Sequence, residues 1–353
     1  METKGLLFIP DISGFSRFVT ESEINHSRAI IQELLELLIN ANQMGLEVSE
    51  IEGDAILFYK FGEAPQLKEL YQQVEKMFCL FHKNLMAYEQ RRYCQCKACI
   101  SAAGLSLKVI THYGEFTGYN VKSFSKLIGK DVIVAHQLLK NDIPQHEYWL
   151  VTEGLLDNHP PADFRTWMNW NDSIKQTEAG EIHFHYTQLS QLKNEIANDP
   201  LPPLNLSGKR KTHAVSRIYE TDIITLFHAA GAFEYRHLWW EGVEKVEELD
   251  HLLPRVGMQS KWTINNGKSI YYSSSYAYTD DRIEFSETDE KGDQLTYFTL
   301  IKIADHQTRL TIDIYKKSNW ITDLIFGSKG EKEMETILQK SLENIIPLLK
   351  KIA

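Results

Sequence analysis

Asp11 closes an apolar run, Leu6-Leu7-Phe8-Ile9-Pro10, and is followed at once by Ile12-Ser13-Gly14-Phe15. A second aspartate, Asp54, sits in Glu52-Gly53-Asp54 between two strand-like runs. Carboxylate oxygens at a strand end and in a nearby turn suit a hard divalent cation. Backbone N–H groups at a helix start after Gly14 suit phosphate. Taken singly, Asp11 reads as an ordinary helix N-cap and Asp54 as an ordinary turn residue. A third group is Cys94-Gln95-Cys96-Lys97-Ala98-Cys99. Cys96 and Cys99 have the spacing of a zinc knuckle, and Cys94 offers a third thiolate. The fourth ligand is open among His82, Cys79, water and another subunit. A reactive dithiol and plain reduced thiols in a loop are the competing readings.

The elements that must position these groups follow from periodicity. Leu6–Pro10 reads as a buried strand. Thr20-Glu21-Ser22-Glu23 matches a capping box, and a helix with Ile30, Ile31, Leu34, Leu35, Leu37 and Leu38 on one face follows, with Gly45 as its end. Residues 46–51 and 55–61 pair as a hairpin around Gly53-Asp54. A long helix spans about residues 65–91. Residues 105–113 form a strand, and 115–121 pair with it around Gly114. Residues 131–140 read as helix, 148–152 as strand, and 182–189 as a half-exposed edge strand. The Pro-rich stretch Asn198–Gly208 is a linker. Beyond it, 214–220 reads as strand and 223–249 as helix. Strand-like segments follow at 258–265, 269–279, 282–288, 295–304 and 309–316, with turn signals at Asn265–Lys268 and Glu290–Asp293. A final helix carries Met334, Ile337, Leu338, Ser341, Leu342, Ile345 and Leu349 at helical spacing.

The 353 residues make two domains the expectation. We place them at 1–195 and 211–353, with 196–210 between. A net charge of −10 argues against a general nucleic-acid binder. No apolar run has the ~18 residues needed to span a bilayer. The N-terminus carries no signal-peptide pattern. These features lead to the expectation of a cytoplasmic protein with reduced thiols.

Five landmarks, in order, resemble class III adenylate/guanylate cyclases. Phe8-Ile-Pro-Asp11-Ile-Ser-Gly-Phe15 resembles their Phe-x-Asp-Ile-x-Gly-Phe motif, and Ile51-Glu-Gly-Asp54-Ala55 their hairpin. Thr111-His-Tyr-Gly-Glu115 resembles a family strand end, Leu127-Ile-Gly129-Lys-Asp-Val132 with Ala135 the Gly-x-x-Val segment, and Trp149–Leu156 the late strand. The resemblance covers about residues 5–190. It implies a ferredoxin-like cyclase-homology domain, a mixed sheet flanked by helices. It implies Mg2+ or Mn2+ held at Asp11, Asp54 and Ile12, phosphate at Ser13, Gly14 and Phe15, and base recognition at Glu50 and Lys126. It also implies a homodimer and a nucleoside triphosphate or cyclic nucleotide as ligand. The family's asparagine and arginine positions are Ile133 and Gln137 here, so catalytic polar groups are missing. That predicts a nucleotide-binding or sensing domain without efficient cyclase activity. An active cyclase with other transition-state groups is the alternative.

The second part resembles START-like (SRPBCC) proteins by element order: an antiparallel sheet wrapped on a long C-terminal helix, the helix-grip layout. This implies a hydrophobic small-molecule ligand, with Phe227, Phe233, Tyr235, Trp239, Trp240, Trp262, Tyr271, Tyr276, Phe285, Tyr297, Phe298 and Trp320 as lining or plain core. Trp320–Phe326 reads as a lid or a dimer contact. His213, His228, His237 and His251 read as structural. A carrier whose N-terminal domain is scaffold is the third reading. The whole resembles a bacterial family that fuses these two modules.

Overall fold

The structure, a computed structural model, describes residues 4–22, 24–156, 161, 163–177, 180–197, 199–201, 204–249, 255–264, 267–317 and 329–352. Trp320–Phe326, Glu23, His251, Asn265 and Asn266 lie outside them. The chain is a mixed α+β protein that divides into two units: Met1–Glu89 with Gln95–Asp199, and Gln90–Cys94 with Pro200–Ala353.

The first unit is built on a seven-stranded mixed sheet, ordered β2-β3-β1-β4-β7-β9-β8. Its strands are β1 (Lys4–Ser13), β2 (Glu47–Glu52), β3 (Ala55–Phe61), β4 (Ser106–Glu115), β7 (Tyr148–Thr152), β8 (Trp170–Thr177) and β9 (Gly180–Gln188). All pairings are antiparallel except β4 with β7. β1 lies between β3 and β4, and every residue from Gly5 to Ser13 is buried. A strand covered on both faces reads as a continuous apolar run. Helices α2 (Ile24–Asn40), α3 (Leu67–Arg91) and α5 (Lys130–Leu139) bury Leu34, Leu38, Val74, Phe78, Phe81, Val134 and Leu138. A short hairpin, β5 (Thr117–Val121) with β6 (Phe124–Ile128), stands apart from the large sheet.

Several expectations change here. β1 runs on to Ser13, and α1 (Phe15–Glu21) follows immediately. Gly14, at φ 92°, makes that sharp turn possible, a conformation that costs a residue with a Cβ. Thr20 lies inside α1 and its hydroxyl donates to the Ser16 carbonyl (2.7 Å), so it does not cap α2. α2 ends at Asn40, and Gly45 (φ 67°) turns the chain toward β2 instead. Residues 117–121 pair with β6, not with β4, because β1 and β7 already occupy both sides of β4. β9 is not an edge: it lies between β7 and the polar strand β8.

The second unit is an antiparallel sheet ordered β10-β16-β15-β14-β13-β12-β11. The strands are β10 (Lys209–Tyr219), β11 (Val243–Glu248), β12 (Gln259–Ile264), β13 (Gly267–Thr279), β14 (Arg282–Asp289), β15 (Gln294–Ala304) and β16 (Gln307–Lys317). The stretch read as one helix over 223–249 is α6 (Ile223–Gly231), α7 (Phe233–Trp239) and β11. The break is Ala232, whose extended backbone (φ −71°, ψ 128°) ends one helix and starts the next. The final helix, α8 (Lys329–Ile352), buries Leu338, Leu342, Ile345 and Leu348 in one cluster with Phe227, Phe285, Phe298 and Ile312. Within that unit the Arg236 guanidinium donates two 2.7 Å hydrogen bonds to Glu287. Both side chains are buried, and the faces of Phe233, Trp239, Trp240, Trp262 and Phe298 lie 5.1–5.8 Å from the guanidinium. Residues 90–94 belong with this unit. The Tyr93 ring stacks on Tyr276 (4.8 Å), whose hydroxyl donates to the Tyr93 carbonyl (2.7 Å).

Candidate functional site: an acidic pair at the end of the central strand

Asp11 is one residue in a strand that pairs on both sides. Across the sheet it faces Ala55 of β3 and Lys108 of β4. Asp54 immediately precedes Ala55, and its carbonyl accepts the Ile12 N–H at 3.1 Å. Strand pairing therefore brings the β2–β3 turn to the C-terminal end of β1. The two carboxyl groups sense each other. Burial pushes Asp54 up to about 6, and the Asp11 charge adds to that rise. Burial also raises Asp11, and Lys108 opposes the rise. The Lys108 ammonium lies 3.5 Å from an Asp11 carboxylate oxygen and donates to the Leu139 carbonyl at 3.3 Å. Tyr148 is close enough for the Asp11 charge to raise its phenol, after burial, to about 12.

One buried and one half-buried carboxyl stand beside one ammonium, a site short of positive charge. Burial is the main cause of both raised carboxyls, and for Asp54 the Asp11 charge comes second. Oxygen donors in such a setting fit a hard divalent cation. Ile12, the third expected metal position, has a fully buried side chain, and its N–H is used by Asp54.

The expected phosphate positions fare differently. Ser13 donates its hydroxyl to the His146 carbonyl (3.1 Å), so that side chain serves the fold. Gly14 begins α1 without a side-chain cap. The Phe15 ring lies over the β2–β3 turn, where a Cβ at residue 53 would stand 3.5 Å from it. Glu50 and Lys126 do meet: the Lys126 ammonium donates to the Glu50 carboxylate. His136 of α5 joins them, its Nε2 3.5 Å from Glu50. Ile133 is 54% exposed, while the Gln137 amide oxygen is buried without a hydrogen-bond partner.

Two features of the first unit's sheet escape sequence reasoning. Lys108 is one; only its register opposite Asp11 marks it. The other is a buried relay on β4. His112 Nε2 lies 3.0 Å from Asp131 and its Nδ1 2.8 Å from the Thr152 hydroxyl, while Asp131 also accepts the Glu115 N–H at 2.6 Å. The bond to His112 holds Asp131 below the usual carboxylate range. This relay fixes the start of α5 against β4. Gly114 permits it, since a Cβ there would come within 2.2 Å of Asp131.

The cysteines converge as well. Cys94, Cys96 and Cys99 have their ligand atoms within 4.8 Å of one another and of a His26 ring nitrogen. Neither Cys79 nor His82 joins them. Burial and the nearby Glu75 push the Cys79 thiol up to about 11, and burial and Lys193 bring His82 down to about 4.

Residues 31–148 match the model of a family described as a protein of unknown function (DUF2652). A stretch of 130 residues, 34% of this chain, is 31% identical to the uncharacterized protein Rv2561/Rv2562 of Mycobacterium tuberculosis (strain ATCC 25618 / H37Rv). That stretch spans 56% of the relative's length. Solved structures similar to the N-terminal part include adenylyl and guanylyl cyclase domains. A bacterial light-regulated adenylyl cyclase aligns at a TM-score of 0.39 and 17% identity, over 55% of this chain and 98% of that one. The guanylate cyclase domain of RhGC from Catenaria anguillulae in complex with GTP aligns at 0.37 and 12%, over 53% and 97%. Among the described residues no helix is long and apolar enough to cross a membrane.

Proposed function

We propose that the first unit is a cyclase-type nucleotide and divalent-cation binding domain that senses a purine nucleotide and does not cyclise it efficiently. The observation that carries this reading is the meeting of Asp11 and Asp54, with Asp54 raised to about 6 partly by its partner's charge. Both carboxylates would hold the cation, Mg2+ or Mn2+. When bound, that ion supplies charge neutralisation for the triphosphate. Lys108, already drawn to Asp11, is the chain's own cation for a phosphate oxygen. Glu50 and Lys126 form the base-recognition position, linked to each other until a base edge replaces one of them. The weak chemistry follows from Ile133 and Gln137, which stand where the resembled family has asparagine and arginine. Isoleucine cannot hydrogen-bond and glutamine brings no charge. Losing one such donor costs about 10²–10³ in rate.

Exposed apolar side chains support a homodimer. Val48 and Ile51 on β2, Phe124 and Ile128 on β6, and Ile133 on α5 are each more than 40% exposed, on elements that also carry Glu50, Lys126 and His136. We read the second unit as a helix-grip, START-like module, supported by the burial of α8 against the sheet. Mass spectrometry of organic extracts of the purified chain tests for its hydrophobic ligand.

Calorimetry of the full chain with MnCl2 and each nucleoside triphosphate tests the main reading. We expect binding of a purine triphosphate that requires the cation and weakens at least tenfold in Asp11→Asn and Asp54→Asn. Equal binding by both variants would remove the acidic pair from the site. Steady production of cyclic nucleotide, lost in Asp54→Asn, would replace sensing with catalysis.

A further inference from the structure

We infer that His26, Cys94, Cys96 and Cys99 form a structural zinc site, separate from the acidic pair. His26 lies in the first turn of α2, Cys96 caps the short helix α4 (Lys97–Ser101), and Cys99 lies within α4. The His26 Nδ1 stands 3.2 Å from Cys96 Sγ and 3.4 Å from Cys99 Sγ. All four ligand atoms fall within 4.8 Å of one another. A tetrahedral zinc with three sulfurs and one nitrogen has ligand–ligand edges of roughly 3.5–3.8 Å, from Zn–S and Zn–N bonds of about 2.3 and 2.0 Å. The two His26–Cys distances already lie close to the N–S edge, and pairs within the 4.8 Å spread need to close by at most about 1 Å. The Tyr88 hydroxyl lies 2.9 Å from Cys99 Sγ, a donor of the kind that steadies a ligating thiolate.

Zinc is the ion the donor set selects, since thiolate and imidazole together favour it over the hard cations that carboxylates hold. Burial sets this site apart from a redox dithiol. Cys94 and Cys99 are buried, whereas reactive thiols need access to solvent. His26 supplies what the cysteine spacing alone lacks. Three ligands in a six-residue stretch cannot close a tetrahedron, and the fourth comes from a helix far away in sequence. The bound ion would staple the start of α2 to the stretch carrying α4. The same stretch packs near the turn after Asp11: the Gly104 carbonyl is 3.6 Å from where a Gly14 Cβ would lie. Closing a loop of this kind contributes folding free energy directly.

The test uses the full chain purified without chelator. Elemental analysis should find about one zinc per chain, and Ellman's reagent should titrate Cys79 alone until a chelator is added. Reduced, zinc-free wild-type protein given Co2+ should show the absorption of a tetrahedral, thiolate-bound ion, a readout that needs no variant. Cys96→Ser and His26→Ala should each lose most of the zinc, while Cys79→Ser and His82→Ala keep it. Metal-free protein with all thiols titratable, together with Co2+ bound only as an octahedral ion, would overturn the site. Full zinc content in Cys96→Ser would overturn it equally.

Discussion

At the scale of residues, the proposed cation role of Asp54 would run against stability. Its carboxyl titrates near 6 in the folded chain against about 3.8 when unfolded. The native state therefore binds more protons than the unfolded state between those values, and the metal-free fold loses stability as pH rises through about 4 to 6. Asp54→Asn removes that penalty. Because the group is half exposed, we discount the full shift to about 1 kcal/mol, or a few degrees in Tm. Scanning calorimetry in EDTA should show the variant more stable than wild type at pH 7.5, with the gap narrowing to about a third of that at pH 4.5. Cation binding should run the other way. Protons compete for the same oxygens, so Mn2+ affinity should fall about tenfold per pH unit below about 6 and level off above it. A flat affinity between pH 5 and 7.5 would mean the cation sits elsewhere. Part of this site is legible in the sequence: Asp11 ends a visible apolar run, and Asp54 sits in the turn just before another. Lys108 is not, because its meaning lies in register across a sheet, and His26 is not, because nothing local links it to the cysteines.

At the scale of elements, the Arg236–Glu287 pair explains why α7 sits where it does. A buried ion pair gains little over a well-packed apolar pair, yet removing one partner leaves an uncompensated charge. Arg236→Met alone should therefore destabilise the second unit by about 3–5 kcal/mol, and Arg236→Met with Glu287→Leu should recover much of that loss. Urea unfolding followed by tryptophan fluorescence reads both, since Trp239, Trp240 and Trp262 surround the pair. If the double variant is as unstable as the sum of the singles, packing and not charge holds α7. The same region shows where pattern reading stops. α3, α5, β7 and the β13–β16 hairpins follow their apolar period and turn residues closely. Ile223–Trp240 is apolar on nearly every side, so period cannot reveal the break at Ala232. β8 fails for the opposite reason. Trp170–Thr177 is too polar to show alternation, and it is a strand because β9 offers it a free edge.

At the scale of the whole molecule, the chain passes through the second unit twice. A Pro-rich linker around residue 200 marks one passage, and composition makes it visible. The other is five residues long, Gln90–Cys94, and lies at the end of α3 with no local signal. Its contribution is physical all the same. The Arg91 carbonyl accepts the Val256 N–H at 2.9 Å, and buried Tyr93 packs on Phe227, Tyr276 and Phe285. A fragment cut at residue 200 would leave that aromatic face in water and the Tyr276 hydroxyl without its carbonyl. Deleting a buried aromatic costs about 3–5 kcal/mol. The fragment 200–353 should therefore melt well below the second unit of the intact chain, and Tyr93→Ala in the intact chain should lower that same transition. Scanning calorimetry of the three proteins decides it. A fragment melting at the intact unit's temperature would show that residues 90–94 lie on the unit without supporting it, and would license separate study of the two halves. The expected result instead ties every binding test above to the full chain.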